Sequence, residues 1–177
     1  MKNKAEQGYL KRMRLLHSLA ALALAAVIAF GIIPVAAQAQ TQEAPYWATL
    51  RFDEVRMRVG PSREYKIDWV YQRKGLPVKV VRVREGWRLI QDHEGTQGWV
   101  SQSQLVLTPG ALVIGDGLVD MREGPSAETT LRWRAEPGVV GKLLGCRDDW
   151  CEIDVAGRTG WVAKTRLWGV EELTPED

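Results

Sequence analysis

Cysteine and histidine are nearly absent from this chain, with two of each in 177 residues. That leaves too few thiolate or imidazole groups for a multi-ligand metal site or a redox relay, so neither a metal nor a cofactor is expected. Charge of one sign is not in excess either: 24 Lys and Arg stand against 22 Asp and Glu. A net of +2 lacks the strongly basic footprint that grips phosphate backbones, which excludes nucleic acid as a partner. No segment beyond residue 40 shows a sustained helical period. Trp, in contrast, is plentiful at eight.

The averages conceal an unlike N-terminus. Lys2, Lys4, Lys11, Arg12 and Arg14 oppose only Glu6, residues 19–33 run without a charge, and Pro34 precedes Ala37-Gln38-Ala39. A positive start, an apolar middle and a small-x-small end read as a secretory signal peptide over residues 1–39, cleaved after Ala39. A retained anchor is the rival reading, but the apolar run falls short of the ~20 residues a spanning helix needs. The expected destination is the periplasm or the extracellular space, with no stable membrane span after cleavage. Residues 40–177 then hold 19 basic and 21 acidic side chains, a net of −2, and 16 Val against 7 Ala. Val is stiff at χ1 and suits a pleated surface, so this part leans to β structure.

The same unit is written twice. Val55-Arg56-Met57-Arg58-Val59-Gly60-Pro61-Ser62 returns as Val119-Asp120-Met121-Arg122-Glu123-Gly124-Pro125-Ser126. Gly75 returns as Gly138, Trp87 as Trp150, and Gly98-Trp99-Val100 as Gly160-Trp161-Val162. The order is kept, and the small drift in spacing requires only single-residue deletions in connecting stretches, so this is an internal duplication. Each unit reads as four or five short strands between turn signals: extended leads over 46–59 and 111–123 that stop at Gly-Pro, Val- and Leu-rich runs over 76–83 and 139–146, strands from Trp87 and Trp150 after tight turns, and a last strand opening at Gly-Trp-Val. Short strands in so small a unit call for closure into a barrel, which disposes of sheet edges. Residues 40–45 read as a linker, 46–107 as the first unit, Thr108-Pro109-Gly110 as a hinge, 111–170 as the second unit and 171–177 as an acidic tail.

The paired M-R-x-G-P-S openings, the turn before Trp87 or Trp150 and the G-W-V close resemble the bacterial SH3-like domains of exported proteins. The resemblance covers about residues 46–170. The family usually carries Asn before the Leu/Met-Arg pair, whereas Arg56 and Asp120 stand here. It implies an all-β fold of two tandem SH3-like small β-barrels after the signal peptide, and a binding role in the cell envelope, often towards peptidoglycan or its peptides.

Catalytic chemistry finds little support. His93, the one histidine past the leader, sits at a hairpin tip between Asp92 and Glu94, a poor frame for activating a nucleophile. The carboxylate pairs Asp148-Asp149 and Asp53-Glu54 occupy turn-like positions without an apolar cage to raise one pKa. A non-enzymatic protein is expected. Cys146 and Cys151 face each other if Asp148-Asp149 form a two-residue turn, and export favours their oxidation to a disulfide, with two free thiols as the alternative.

Aromatic residues carry the ligand-binding signal. Trp99 and Trp161 read as structural, their Gly neighbours giving room against the indole; Met57 and Met121 read as core. Trp87 and Trp150 follow turns where a ring is half presented. Tyr65, Trp69 and Tyr71 lie in the connection after Gly-Pro-Ser, with Trp133 matching Trp69, and the resemblance places this connection at the border of the ligand groove. For Trp69 and Trp133 two readings stand side by side: groove walls, or plugs beneath a long loop. Residues 45–107 carry 11 basic and 7 acidic side chains, a net of +4, while 108–170 carry 8 and 9, a net of −1. Arg82 and Arg84, with Arg88, Arg56, Arg58, Arg73, Lys74 and Lys79, are therefore candidates for meeting an anionic polymer. The expected partners are cell-wall peptide or glycan, or another envelope protein.

Overall fold

The computed structural model describes residues 42–173; the signal peptide read at 1–39 and the end of the acidic tail lie outside the described residues. The first copy comprises β1 (Tyr46–Leu50), β2 (Val55–Arg58), β3 (Ile67–Tyr71), β4 (Pro77–Arg84), β5 (Trp87–Gln91), β6 (Gln97–Ser101), a 3-10 turn (Gln102–Gln104) and β7 (Leu105–Val106). The second repeats the plan as β8 (Gly110–Val113), β9 (Val119–Arg122), β10 (Leu131–Ala135), β11 (Val140–Arg147), β12 (Trp150–Val155), β13 (Arg158–Ala163), a 3-10 turn (Lys164–Arg166) and β14 (Leu167–Trp168). Each copy is an antiparallel sheet, ordered β3-β2-β6-β5-β4-β1-β7 and β10-β9-β13-β12-β11-β8-β14.

Seven strands per copy exceed the four or five expected. Each extended lead breaks in two, the second at Gly115 and Gly117, both in the left-handed region with φ of 86° and 69°. The connection after Gly-Pro-Ser folds back as β3 on β2 and as β10 on β9. Two-residue returns after the 3-10 turns, too short to show a periodicity, pair with β1 and β8.

Alternation sets the core. Val55, Met57, Val78, Val80, Ile90 and Val100 are fully buried in the first copy; Val119, Met121, Ile153 and Val162 match them in the second. Met57 and Met121 are core, as expected. The reason for the glycine of Gly-Trp-Val differs from the expected one. A Cβ on Gly98 would come within 2.4 Å of Met57 Cγ, and one on Gly160 within 2.8 Å of Met121 Cβ. The glycine makes room for the core methionine, while Trp99 and Trp161 point to the other face and are half-buried.

Register confirms the hairpin read around the cysteines. Arg147 faces Trp150 and Cys146 faces Cys151 across β11 and β12. The two cysteines are disulfide-bonded, with Cα atoms 4.0 Å apart. So short a ring stabilises by about 2 kcal/mol in the loop-entropy account. In the first copy Val83 faces Arg88 at this place. Arg88 is buried there and donates to Tyr46 Oη at 2.8 Å, Trp87 O at 2.9 Å and Arg84 O at 3.2 Å. A hydrogen-bonded arginine takes the disulfide's place, which also withdraws Arg88 from the basic surface expected of it.

Residues that break the repeat join the copies. Trp47 and Trp168, whose repeat counterparts are Gly110 and Val106, meet edge to face with ring centroids 5.0 Å apart. The Trp47 indole donates to the carbonyl of Glu171 at 2.8 Å, tying the start of the acidic segment to the first copy. Leu112 lies within the first copy's core, with Ile114, Val140 and Trp168 packed against it. Thr49 Oγ1 donates to Thr108 O at 3.1 Å and Leu143 N to Pro109 O at 3.2 Å, so the 108–110 connection is bonded to both copies.

Candidate functional site

The site begins at the Gly-Pro-Ser turns. Ser62 Oγ accepts from Glu64 N and Ser126 Oγ from Glu128 N, each at 3.2 Å, fixing the same turn in both copies. The following backbone is held by the arginine of the Met-Arg pair: Arg58 Nη1 donates to Tyr65 O, and Arg122 Nη1 to Thr129 O. Beyond this point the copies differ.

In the first copy a cleft of about 330 Å³ opens between this turn and the β5–β6 face. Arg56, Arg58, Arg63, Trp87, Ser101, Ser103 and Gln104 line it. Arg56 and Arg58 are two apart on β2 and so share a face; Arg58 faces Trp99, and Trp87 faces Ser101. Three guanidinium groups meet one nearby carboxylate, Glu54, which binds Arg56 at 2.9 Å. The half-buried Trp87 gives an apolar wall beside a cationic one, an arrangement suited to an extended ligand with a negative group.

The second copy fills the equivalent place from within. Asp120 stands where the first copy has Arg56; its Oδ2 takes Arg122 Nη2 at 2.8 Å and its Oδ1 takes Arg134 Nε at 3.2 Å. Ala127 replaces Arg63 and Thr129 replaces Tyr65. Arg166, at the position of Gln104, is spent on the carbonyls of Ile114 and Asp116, at 3.1 Å and 2.7 Å.

The sequence candidates separate accordingly. Trp87 lines the cleft; Tyr65 does not line it but is exposed, its carbonyl held by the cleft residue Arg58 and its ring over Gly60, where a Cβ would meet it at 2.7 Å. Trp69 and Trp133 lie on the outermost strands β3 and β10, 57% and 43% exposed, so neither is a plug. Arg158 covers the Trp133 ring at 5.2 Å; Thr96 is its counterpart in the first copy, leaving Trp69 open. Trp150 is half-buried, and Arg147 beside it lies over Trp161 at 5.7 Å.

Tyr71 is a correction. It is 7% exposed, and its hydroxyl donates to Asp92 Oδ2 at 2.9 Å, so it forms part of the core rather than a groove wall. Burial, then the charge and hydrogen bond of Asp92, raise its pKa above the ordinary tyrosine value. Asp92 also accepts the N–H groups of Glu94 and Thr96, at 3.1 Å and 2.9 Å, which explains a buried carboxylate at a hairpin tip. Arg82 and Arg84 are exposed on β4 outside the cleft; Arg82 borders a separate hollow of about 480 Å³ with Lys79, Val81, Leu89 and Gln91. Arg73 is committed to Gly138 O. Sequence reading missed Arg63, Ser101, Ser103 and Gln104. Their signal was available in the mismatches between the aligned copies, notably Arg63 against Ala127 and Gln104 against Arg166.

Among the described residues, no group of three or more His, Cys, Asp and Glu is placed to hold a metal ion. A bacterial SH3 domain family model matches residues 52–106 and again 115–169, together more than half of the chain. The chain belongs to the bacterial SH3 domain family. Similarity to individual proteins is partial. The putative N-acetylmuramoyl-L-alanine amidase YrvJ of Bacillus subtilis (strain 168) is 26% identical over 132 residues, covering 64% of this chain and 25% of the amidase. The structures of NlpC1 and NlpC2 from Trichomonas vaginalis align at 13% identity with TM-scores of 0.31 and 0.33. Each alignment covers 72% of this chain, with 46% and 49% of the two NlpC chains. The chain thus spans a quarter of the curated relative and just under half of these solved structures.

Proposed function

We propose that this chain is a non-enzymatic binding module of the bacterial cell envelope, holding peptidoglycan or its peptides in the aromatic and cationic cleft of its first SH3 copy. The observation that carries the reading is that cleft, open beside Trp87 in the first copy and internally neutralised in the second. Two further points support it. A relative is named as an amidase of N-acetylmuramoyl-L-alanine, and what it shares with this chain is a quarter of its length. The Cys146–Cys151 disulfide suits an oxidising compartment outside the cytoplasm. The exposed carboxylates of the Asp148-Asp149 turn and the exposed His93 lack the enclosure that general acid–base work needs.

Sedimentation with purified peptidoglycan at low ionic strength tests the reading. Wild-type protein is expected in the pellet, and Trp87→Ala combined with Arg63→Ala is expected to release it, because both side chains line the cleft and the second copy already carries Ala127 at the place of Arg63. Wild-type protein left in the supernatant refutes the reading. A second reading, an adaptor for another envelope protein, is favoured by the outer strand β3, where Ile67, Trp69 and Val70 are 41%, 57% and 37% exposed. Such an edge accepts an added strand. Under that reading, Val70→Lys abolishes capture of the partner while leaving wall sedimentation unchanged.

A further inference from the structure

The duplication places two versions of one site in a single chain, and the second version contains its own occupant. The Asp120 carboxylate lies against Arg122 Nη2, and Arg122 keeps Nη1 on the carbonyl of Thr129. Arg58 in the first copy uses Nη1 in the same way, on the carbonyl of Tyr65. At the Asp120 position the first copy has Arg56, so among the described residues no carboxylate takes the place of Asp120 on Arg58. A third cation, Arg63, lines the cleft where the second copy has Ala127.

From this comparison we infer that the cleft at Arg56, Arg58 and Arg63 is an oxyanion subsite, specific to the first copy, which takes a carboxylate or phosphate group of the ligand in the place that Asp120 occupies in the second. This rests on the cleft being the binding surface proposed above. A planar guanidinium fork pairs with either oxyanion. Trp87 lies along the same cleft, so the neighbouring part of the ligand is held on an apolar face. Glu54 draws on Arg56 alone, leaving the cleft net cationic. The second copy's Asp120 is satisfied by Arg122 and Arg134 together, and an incoming anion there meets a carboxylate in its place.

The test is a titration of the isotopically labelled full chain at low ionic strength, following the Trp87 and Trp150 indole N–H signals and the amides of Arg58 and Arg122. Three probes are used: inorganic phosphate, trialanine with a free C-terminal carboxylate, and trialanine amide. The expected result is a saturable shift at Trp87 and Arg58 with phosphate, with trialanine or with both, and none with the amide. Trp150 and Arg122 stay unmoved. Arg56→Asp installs the residue that the second copy already accommodates, so it preserves the fold and is expected to weaken the response roughly tenfold or more. Asp120→Arg with Ala127→Arg is expected to transfer a response to Trp150. A shift with trialanine alone assigns a peptide carboxylate, and one with phosphate alone a phosphate-bearing polymer; either upholds the subsite. Silence at Trp87 with both oxyanions, equal response in both copies, equal binding of the amide, or unchanged affinity in Arg56→Asp overturns it. Wall sedimentation separates the two claims: retained sedimentation with a silent titration removes the subsite alone, and a positive titration without sedimentation removes the wall ligand alone.

Discussion

Replacing Tyr71 by Phe is expected to cost stability at neutral pH and to cost less as the solution becomes alkaline. The Tyr71 hydroxyl is buried and donates to Asp92 at 2.9 Å. A hydrogen bond to a charged acceptor contributes about 2 kcal/mol, and Asp92 keeps its two backbone donors after the substitution. The pH dependence follows from the raised pKa of Tyr71. In the unfolded chain the phenol ionises near its ordinary value of about 10. In the folded state it stays protonated, so from there upward the native state binds the extra proton and stability falls with pH. At pH 11 this removes about 1.4 kcal/mol from the wild type and nothing from the Phe variant. The deficit of the variant should therefore shrink from about 2 kcal/mol at pH 8 to below about 1 kcal/mol at pH 11. Urea midpoints at the two pH values measure it, with a shift of roughly 1 M expected at pH 8. A constant deficit across the range, or none at pH 8, would refute the argument. Peptidoglycan sedimentation of Tyr71→Phe should equal that of the wild type, because the ring is core.

Three further outcomes are expected. Cys146→Ser should lower stability by about 2 kcal/mol under oxidising conditions and by nothing measurable with reductant present, checked by denaturant unfolding in both. Gly160→Ala should destabilise more than Gly98→Ala, within a range of about 1–3 kcal/mol, because the new methyl meets Met121 Cβ and its backbone carbon at 2.8 Å and 3.2 Å, whereas at Gly98 it meets Met57 side-chain atoms that can rotate. Thermal melts giving the reverse order would contradict that geometry. Ala156 holds a φ of 53° in the two-residue turn before Gly157, a conformation costly to alanine and accepted by Asn. Ala156→Asn is expected to raise stability by about 1 kcal/mol, read as an increase in Tm.

Much of the fold was legible because duplication makes a sequence its own alignment. The hairpin at Asp148-Asp149 fixed the facing of Cys146 and Cys151 by counting residues, and the register agrees. Strand number was not legible, since β7 and β14 have two residues each and leave no period. The candidate site was legible in part. Trp87 and the Arg56–Arg58 pair follow from motif and charge, but Tyr71 shares its apolar, loop-adjacent character with Tyr65 and differs only in which way its strand turns it. Arg82 and Arg84 looked equivalent to Arg56 and Arg58 because charge is visible in sequence and facing is not.

The sequence by itself determined the repeat, the β class, the cysteine pairing and the concentration of positive charge in the first copy. Each is a property of local order: spacing, alternation, or a count along the chain. The tertiary structure decided which arginines share a cleft, that Arg88 and Tyr71 are spent inside the module, and that Trp47 and Trp168 bind the copies together. Those outcomes depend on which strands become neighbours, and residues far apart in sequence acquire a common surface only when the sheet brings them side by side. The same physical reason separates the two copies: Arg56 against Asp120 and Arg63 against Ala127 leave the fold unchanged but set an open cationic cleft in the first copy against an internally paired arginine in the second.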